Sequence, residues 1–137
     1  MIVKDAMSDE VTTLKVTWPV GKAWEMMQEQ SVHYFPVVDG ERLVGILTDR
    51  DLRVLVAASS SAALPEKDYH RFLMDTMSVG QAMTPEPHTV TPGTDLKDAA
   101  SLILELRIGG LPVVEEDRLV GIITETDLVR VLIERFL

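Results

Sequence analysis

The chain repeats itself. A constant offset of 76 residues aligns residues 3–56 with residues 79–132 without a gap, and 11 of the 22 columns from 35–56 against 111–132 are identical. The identities are Pro36/Pro112, Val37/Val113, Val38/Val114, Arg42/Arg118, Leu43/Leu119, Val44/Val120, Gly45/Gly121, Ile46/Ile122, Thr48/Thr124, Asp51/Asp127 and Leu52/Leu128. Upstream the copies match more weakly, with Ala6 and Met7 on Ala82 and Met83 and Thr13 on Thr89. Whatever one copy forms, the other is expected to form, and a unit of roughly 55 residues has too little surface to bury a core alone.

Each copy reads in the order β-α-β-β-α. A short strand is expected over residues 11–16 and 88–91, followed by a turn at Trp18-Pro19 or Pro92-Gly93. Helical spacing then runs through Val20, Ala23, Trp24 and Met27, and through Leu96, Ala99, Ala100, Ile103, Leu104 and Leu106 behind Asp95. Apolar runs at 35–38 and 111–114 turn at Asp39-Gly40 or Glu116-Asp117 into strands at 43–47 and 119–123, which makes a hairpin. Closing helices are expected over 49–57 and 125–136. The predicted division is therefore residues 1–57 as the first motif, 58–78 as a linker and 79–137 as the second motif. The Ala/Ser-rich start of the linker with Pro65 reads as a loop, and residues 68–74 read as a short helix with Tyr69, Phe72 and Leu73 on one face. The fold class is α/β, two such motifs packed sheet to sheet with pseudo-two-fold symmetry.

Both hairpins run into "TDRD" and "TETD". Thr48 and Thr124 stand where a strand ends and a helix begins, and the acid three residues later completes a capping box worth roughly 1 kcal/mol. Asp49 and Glu125 add charge that the helix dipole favours. Capping alone accounts for these stretches, and ligand binding is the alternative.

Lys plus Arg is 13 against 22 Asp plus Glu, a net charge of -9, which disfavours nucleic acid and anionic membrane surfaces. The absence of cysteine excludes disulfides, thiolate catalysis and Cys-based zinc sites. MIVKDAMSDE lacks the apolar core of a signal peptide and no uncharged stretch is long and apolar enough to span a bilayer, so a soluble, cytoplasmic protein is expected. His33, His70 and His88 have no metal-ligand spacing, and His70 is expected at the surface of the linker. No Ser elbow, P-loop, dinucleotide glycine motif or HExxH occurs, so catalysis is not expected.

The run "MTPEPHTVTPGTDLKDAASLILELRIGGLPVVEEDRLVGIITETDL" resembles a CBS motif over its whole length, and "MSDEVTTLKVTWPVGKAWEMMQEQSVHYFPVVDGERLVGILTDRDL" is a looser copy. Together they resemble a tandem CBS pair, or Bateman module, of the stand-alone bacterial type akin to acetoin-utilisation proteins. The resemblance implies a cleft between the motifs that binds AMP, ADP, ATP or S-adenosylmethionine, and modules that pair into homodimers. It also implies that Thr48, Asp51, Thr124 and Asp127 contact the nucleoside. A phosphate set directly on these carboxylates would be repelled, whereas the two ribose hydroxyls suit a carboxylate as donors. By the same resemblance the adenine slot falls on Ser8, Thr13, Val32, His33 and Tyr34 in one copy, and on Thr84, Thr89, Ile108, Gly109 and Gly110 in the other. Val32 and Ile108 read equally well as core. Phosphate charge would meet Arg50 and Arg53 beside the first site and Arg130 beside the second, with Arg107 a more distant candidate, so unequal sites are expected. No obligatory cofactor is expected, although Mg²⁺ could accompany a nucleotide. The reading is a sensor for an adenosyl ligand that signals to an unknown effector protein by conformational change. Its chief rival is a ligand-free dimerisation scaffold.

Overall fold

The computed structural model describes residues 1–58 and 66–137, and the first copy forms the expected order of elements. In the first copy these are β1 (Leu14–Lys15), α1 (Val20–Gln30), β2 (Tyr34–Asp39), β3 (Arg42–Thr48) and α2 (Asp49–Ala58). The linker carries α3 (Glu66–Thr76), longer at both ends than the expected helix. Leu73 is buried on it, Phe72 is largely exposed and His70 is half-buried rather than a surface residue, whereas the Tyr69 side chain lies outside what is described. The expected loop likewise falls mostly on residues outside the described range. The second copy comprises α4 (Val79–Ala82), β4 (Thr84–Pro85), α5 (Leu96–Leu106), β5 (Gly110–Glu115), β6 (Arg118–Thr124) and α6 (Glu125–Phe136). A single 3-10 turn at Val3–Asp5 takes the place of α4 in the first copy.

The strand expected at 88–91 shrinks to one parallel bridge, Val90 opposite Val113. Its counterpart β1 pairs with β2 at Leu14 opposite Val37 and Lys15 opposite Val38, and the next residue, Val16, donates its N–H to the Val38 carbonyl at 3.0 Å. Pro92 occupies the position equivalent to Val16 and has no N–H to donate, so the ladder stops.

Contacts divide the chain into two units whose boundaries are not those of the repeat. The first unit holds Thr12–Gly40 and Val44–Glu86; the second holds Met1–Val11, Glu41–Leu43 and Pro87–Leu137. Each copy's leading segment therefore packs with the hairpin of the other copy. In the first unit β4 lies antiparallel on β3, with Gly45 opposite Pro85 and Ile46 opposite Thr84. In the second, Ser8 makes the matching bridge to Ile122. The supporting bonds recur at the same offset. Val79 N–H donates to the Trp18 carbonyl at 2.7 Å and Val3 N–H to the Thr94 carbonyl at 2.8 Å. Val20 N–H donates to Met77 and Leu96 N–H to Met1, at 2.8 and 2.9 Å.

The anchors are apolar. Val79 is fully buried in the first-unit core with Leu14, Val20, Phe35, Val37, Leu47 and Leu52. Val3 is fully buried in the second-unit core with Leu96, Ile103, Leu111, Val113 and Ile123. Gly45 and Gly121 permit the close approach: an added Cβ at Gly45 would meet the Thr84 carbonyl oxygen at 2.9 Å, and one at Gly121 the Ser8 carbonyl oxygen at 2.8 Å.

The hairpin turns differ between copies. Gly40 takes φ +65° without strain, whereas Glu116 and Asp117 hold φ of 53° and 66° with side chains that disfavour it. Two successive positive φ values define the turn that Asn-Gly fits best. Replacing the pair by Glu116→Asn and Asp117→Gly is expected to raise stability by about 1 kcal/mol, read as a higher urea midpoint at unchanged slope.

Candidate functional site

The Thr-x-x-Asp stretches form reciprocal capping boxes. At the start of α2, Asp51 Oδ2 accepts from the Thr48 N–H at 2.9 Å and from its hydroxyl at 3.1 Å, while the Asp51 N–H donates to Thr48 Oγ1 at 3.2 Å. At the start of α6, Asp127 Oδ2 accepts from Thr124 N–H and Oγ1 at 2.9 and 3.0 Å, and Asp127 N–H donates back at 3.2 Å. One oxygen of each carboxylate is thereby committed to the helix start, and Oδ1 is left to face other groups.

Those other groups differ. Asp51 Oδ1 accepts from the hydroxyl of Thr84 at 3.1 Å, delivered by β4 of the other copy. Asp127 Oδ1 accepts from Arg130 Nη1 at 2.9 Å, one turn along α6. Asp127 is buried, whereas Asp51 is only partly so.

The segment ahead of each hairpin closes on the same helix start. α1 and α5 end on Ser31 and Arg107, both left-handed at φ 52° and 54°, and this redirects the chain. The His33 carbonyl then accepts from the Asp49 N–H at 3.2 Å, and the Gly109 carbonyl from the Glu125 N–H at 3.1 Å. Next in the chain come Tyr34 and Gly110. Gly110 is buried with no room for a side chain, since an added Cβ would meet the Ile123 carbonyl oxygen at 2.9 Å. Burial pushes the Tyr34 phenol above its ordinary pKa. Val32 is exposed, so it is not core, and Ile108 packs partly against the second-unit core.

The grouping of the expected slot residues changes in one respect. Thr84 joins Thr13, Val32, His33 and Tyr34 in the first unit, and Ser8 joins Thr89, Ile108, Gly109 and Gly110 in the second, because the leading segments are exchanged. Nothing in the sequence signals that Thr84 meets Asp51. Ser8 does not mirror it; its hydroxyl donates to the Glu10 carbonyl at 3.4 Å.

Positive charge is also unequal. Beside α2, Arg53 is paired to Asp49 at 3.2 Å, with His33 Nδ1 3.8 Å from the same oxygen, and Arg50 is exposed. Beside α6, Arg130 lies on Asp127 and Arg107 is the exposed cap of α5. Among the described residues no cluster of three or more His, Asp or Glu could hold a metal ion, and no helix is long and apolar enough to cross a membrane.

The CBS domain family model matches residues 3–58 and 79–134. A CBS domain-containing protein of Dictyostelium discoideum is 34% identical over 137 residues, covering 98% of this chain and 92% of its own. The chloroplastic CBS domain-containing protein CBSX1 of Arabidopsis thaliana is 36% identical, and the match covers 92% of this chain but 61% of that protein's length. Among solved structures, CBSX2 in complex with AMP is similar at a TM-score of 0.79 and 32% identity, covering 97% of this chain and 96% of that one. A structure described as an acetoin utilization protein (AcuB) from Vibrio cholerae is similar at 0.80 and 32% identity, covering 98% and 91%.

Proposed function

Because this chain belongs to the CBS-domain family and carries two such domains, we propose that it is a regulatory module, not an enzyme, that binds an adenosyl ligand at the two Thr-x-x-Asp helix starts. The observation that carries the reading is the duplicated carboxylate with one oxygen fixed by the helix cap and the other held by a single further side chain. Such a group is preorganised to accept from the ribose hydroxyls, and charge-assisted bonds of this kind are the stronger ones. AMP in the related CBSX2 structure supports an adenine nucleotide as the ligand. The bases of the first site would lie near His33 and Tyr34, those of the second near Gly109 and Gly110. Arg50 and Arg53 would meet phosphates beside α2, with Mg²⁺ as an optional companion. Binding changes conformation only if the ligand prefers one arrangement, and an effector protein in the cytoplasm would read that change.

The exposed apolar stripe of α6 favours a second reading, a scaffold that pairs with another copy of itself. Val129, Leu132, Ile133 and Phe136 recur at helical spacing and are 48–71% exposed. Leu128, by contrast, packs partly on the second-unit core.

Thermal denaturation with AMP separates the two. At 100 times its dissociation constant, AMP is expected to stabilise the protein by about 2.7 kcal/mol per site. In Asp51→Ala the first site's share of that gain is expected to vanish, over and above a loss of about 1 kcal/mol from the broken cap. A melting temperature that no adenine nucleotide or S-adenosylmethionine moves would leave the scaffold reading standing.

A further inference from the structure

The two helix starts share every bond of the capping box but differ in what holds the second carboxylate oxygen. At Asp51 it is the exposed, neutral hydroxyl of Thr84 at 3.1 Å. At Asp127 it is the guanidinium of Arg130 at 2.9 Å, on a carboxylate whose side chain is 7% exposed. The repeat places Val54 at the position equivalent to Arg130, and Ser8 at the position equivalent to Thr84, where it bonds elsewhere. A hydroxyl rotates freely and both donates and accepts, so a diol arriving at Asp51 displaces little. A diol arriving at Asp127 must share or displace a guanidinium that is ion-paired to a nearly buried acid, a bond with charge on both partners where the Thr84 bond has charge on the carboxylate alone.

We propose that Arg130 latches the second site, making it the weaker of the two for a ribose and setting the order in which the sites fill. This inference rests on the nucleotide reading above. It gives Arg130 a role opposite to a phosphate contact: the guanidinium competes with the ligand for Asp127 instead of attracting it. Val54 leaves the first site unlatched. Opening the second site requires the Arg130 side chain, 56% exposed, to swing into solvent, which its exposure allows.

Calorimetric titration of the full chain with AMP tests this. The wild type is expected to show two sites differing at least tenfold in affinity, the weaker one surviving in Asp51→Ala and the tighter one in Asp127→Ala. Arg130→Ala is expected to tighten the weak site until the two are within about threefold. The reciprocal Val54→Arg puts a guanidinium three residues after Asp51 and is expected to weaken the tight site at least tenfold. Val54 is 57% exposed, so that substitution disturbs no core, and circular dichroism checks both folds. Equal wild-type sites, or a weak site that Arg130→Ala leaves unchanged or weakens further, would overturn the latch while leaving the nucleotide reading intact. AMP binding to none of these proteins would overturn the latch together with the nucleotide reading for that ligand.

Discussion

Val3→Asp is expected to destabilise the protein by on the order of 4 kcal/mol, and the damage is expected in the strands of the other copy. Val3 is fully buried, packed with Val90, Leu96, Leu111, Val113 and Ile123. A carboxylate there has no described cation in its core cluster, and a buried unpaired charge is among the largest single-residue losses known. The segment around it is held by Val3 N–H on Thr94, by Lys4 N–H on Pro92 and by the two-way bonds of Ser8 with Ile122. Release of the segment into solvent limits the loss but exposes the core it covered. Native-state hydrogen exchange therefore gives the sharper result. Amides of β5 and β6, such as Leu111 and Ile123, should lose protection, while Phe35 and Leu47 of the first unit keep theirs. Val3→Ala should show the same pattern at about 2 kcal/mol. Loss of protection in β2 and β3 first would mean that Val3 packs with its own copy.

The mirror experiment is Gly45→Val, expected to cost about 3 kcal/mol and to abolish the AMP-induced thermal shift contributed by the first site. An added Cβ at Gly45 meets the Met83 sulfur and, at 2.9 Å, the carbonyl oxygen of Thr84. The thioether can move aside, but the carbonyl belongs to β4 and cannot shift without breaking its register on β3. Thr84 is also the residue whose hydroxyl reaches Asp51, so displacing β4 alters the site as well as the fold. Gly93→Ala is the control: nothing lies within 4 Å of its Cβ position, and the substitution should be neutral or slightly stabilising. Wild-type stability in Gly45→Val would show that the leading segment yields without loss, and would separate it from the site.

Much of this was readable before folding. Helix α6 runs over Glu125–Phe136 as expected, because its start is chemical: Thr124 and Asp127 satisfy each other's backbone, and the apolar spacing behind them is helical. The two hairpins followed from β-branched runs broken at turn residues. The same local logic located both carboxylates of the candidate site, since a capping box needs only four consecutive residues. It reached no further than local bonds reach. The Arg130 contact to Asp127 spans three residues on a helix, a spacing visible in sequence, but the spacing does not say whether the guanidinium meets Asp127 or a phosphate. The Thr84 contact to Asp51 spans 33 residues and has no local signature at all.

By itself the sequence determined that the chain is a duplicated β-α-β-β-α unit with two capped helix starts, because periodicity, capping and turn chemistry act over a few residues. Only the tertiary structure decided which leading segment meets which hairpin. The two hairpins share Leu-Val-Gly-Ile, so pairing within a copy and pairing across copies are nearly equal in local chemistry. That tie is broken by the packing of the whole chain, which buries Val3 with copy two and Val79 with copy one. The same exchange carries Thr84, and not Ser8, to a carboxylate, and so makes two sites of one sequence motif unlike.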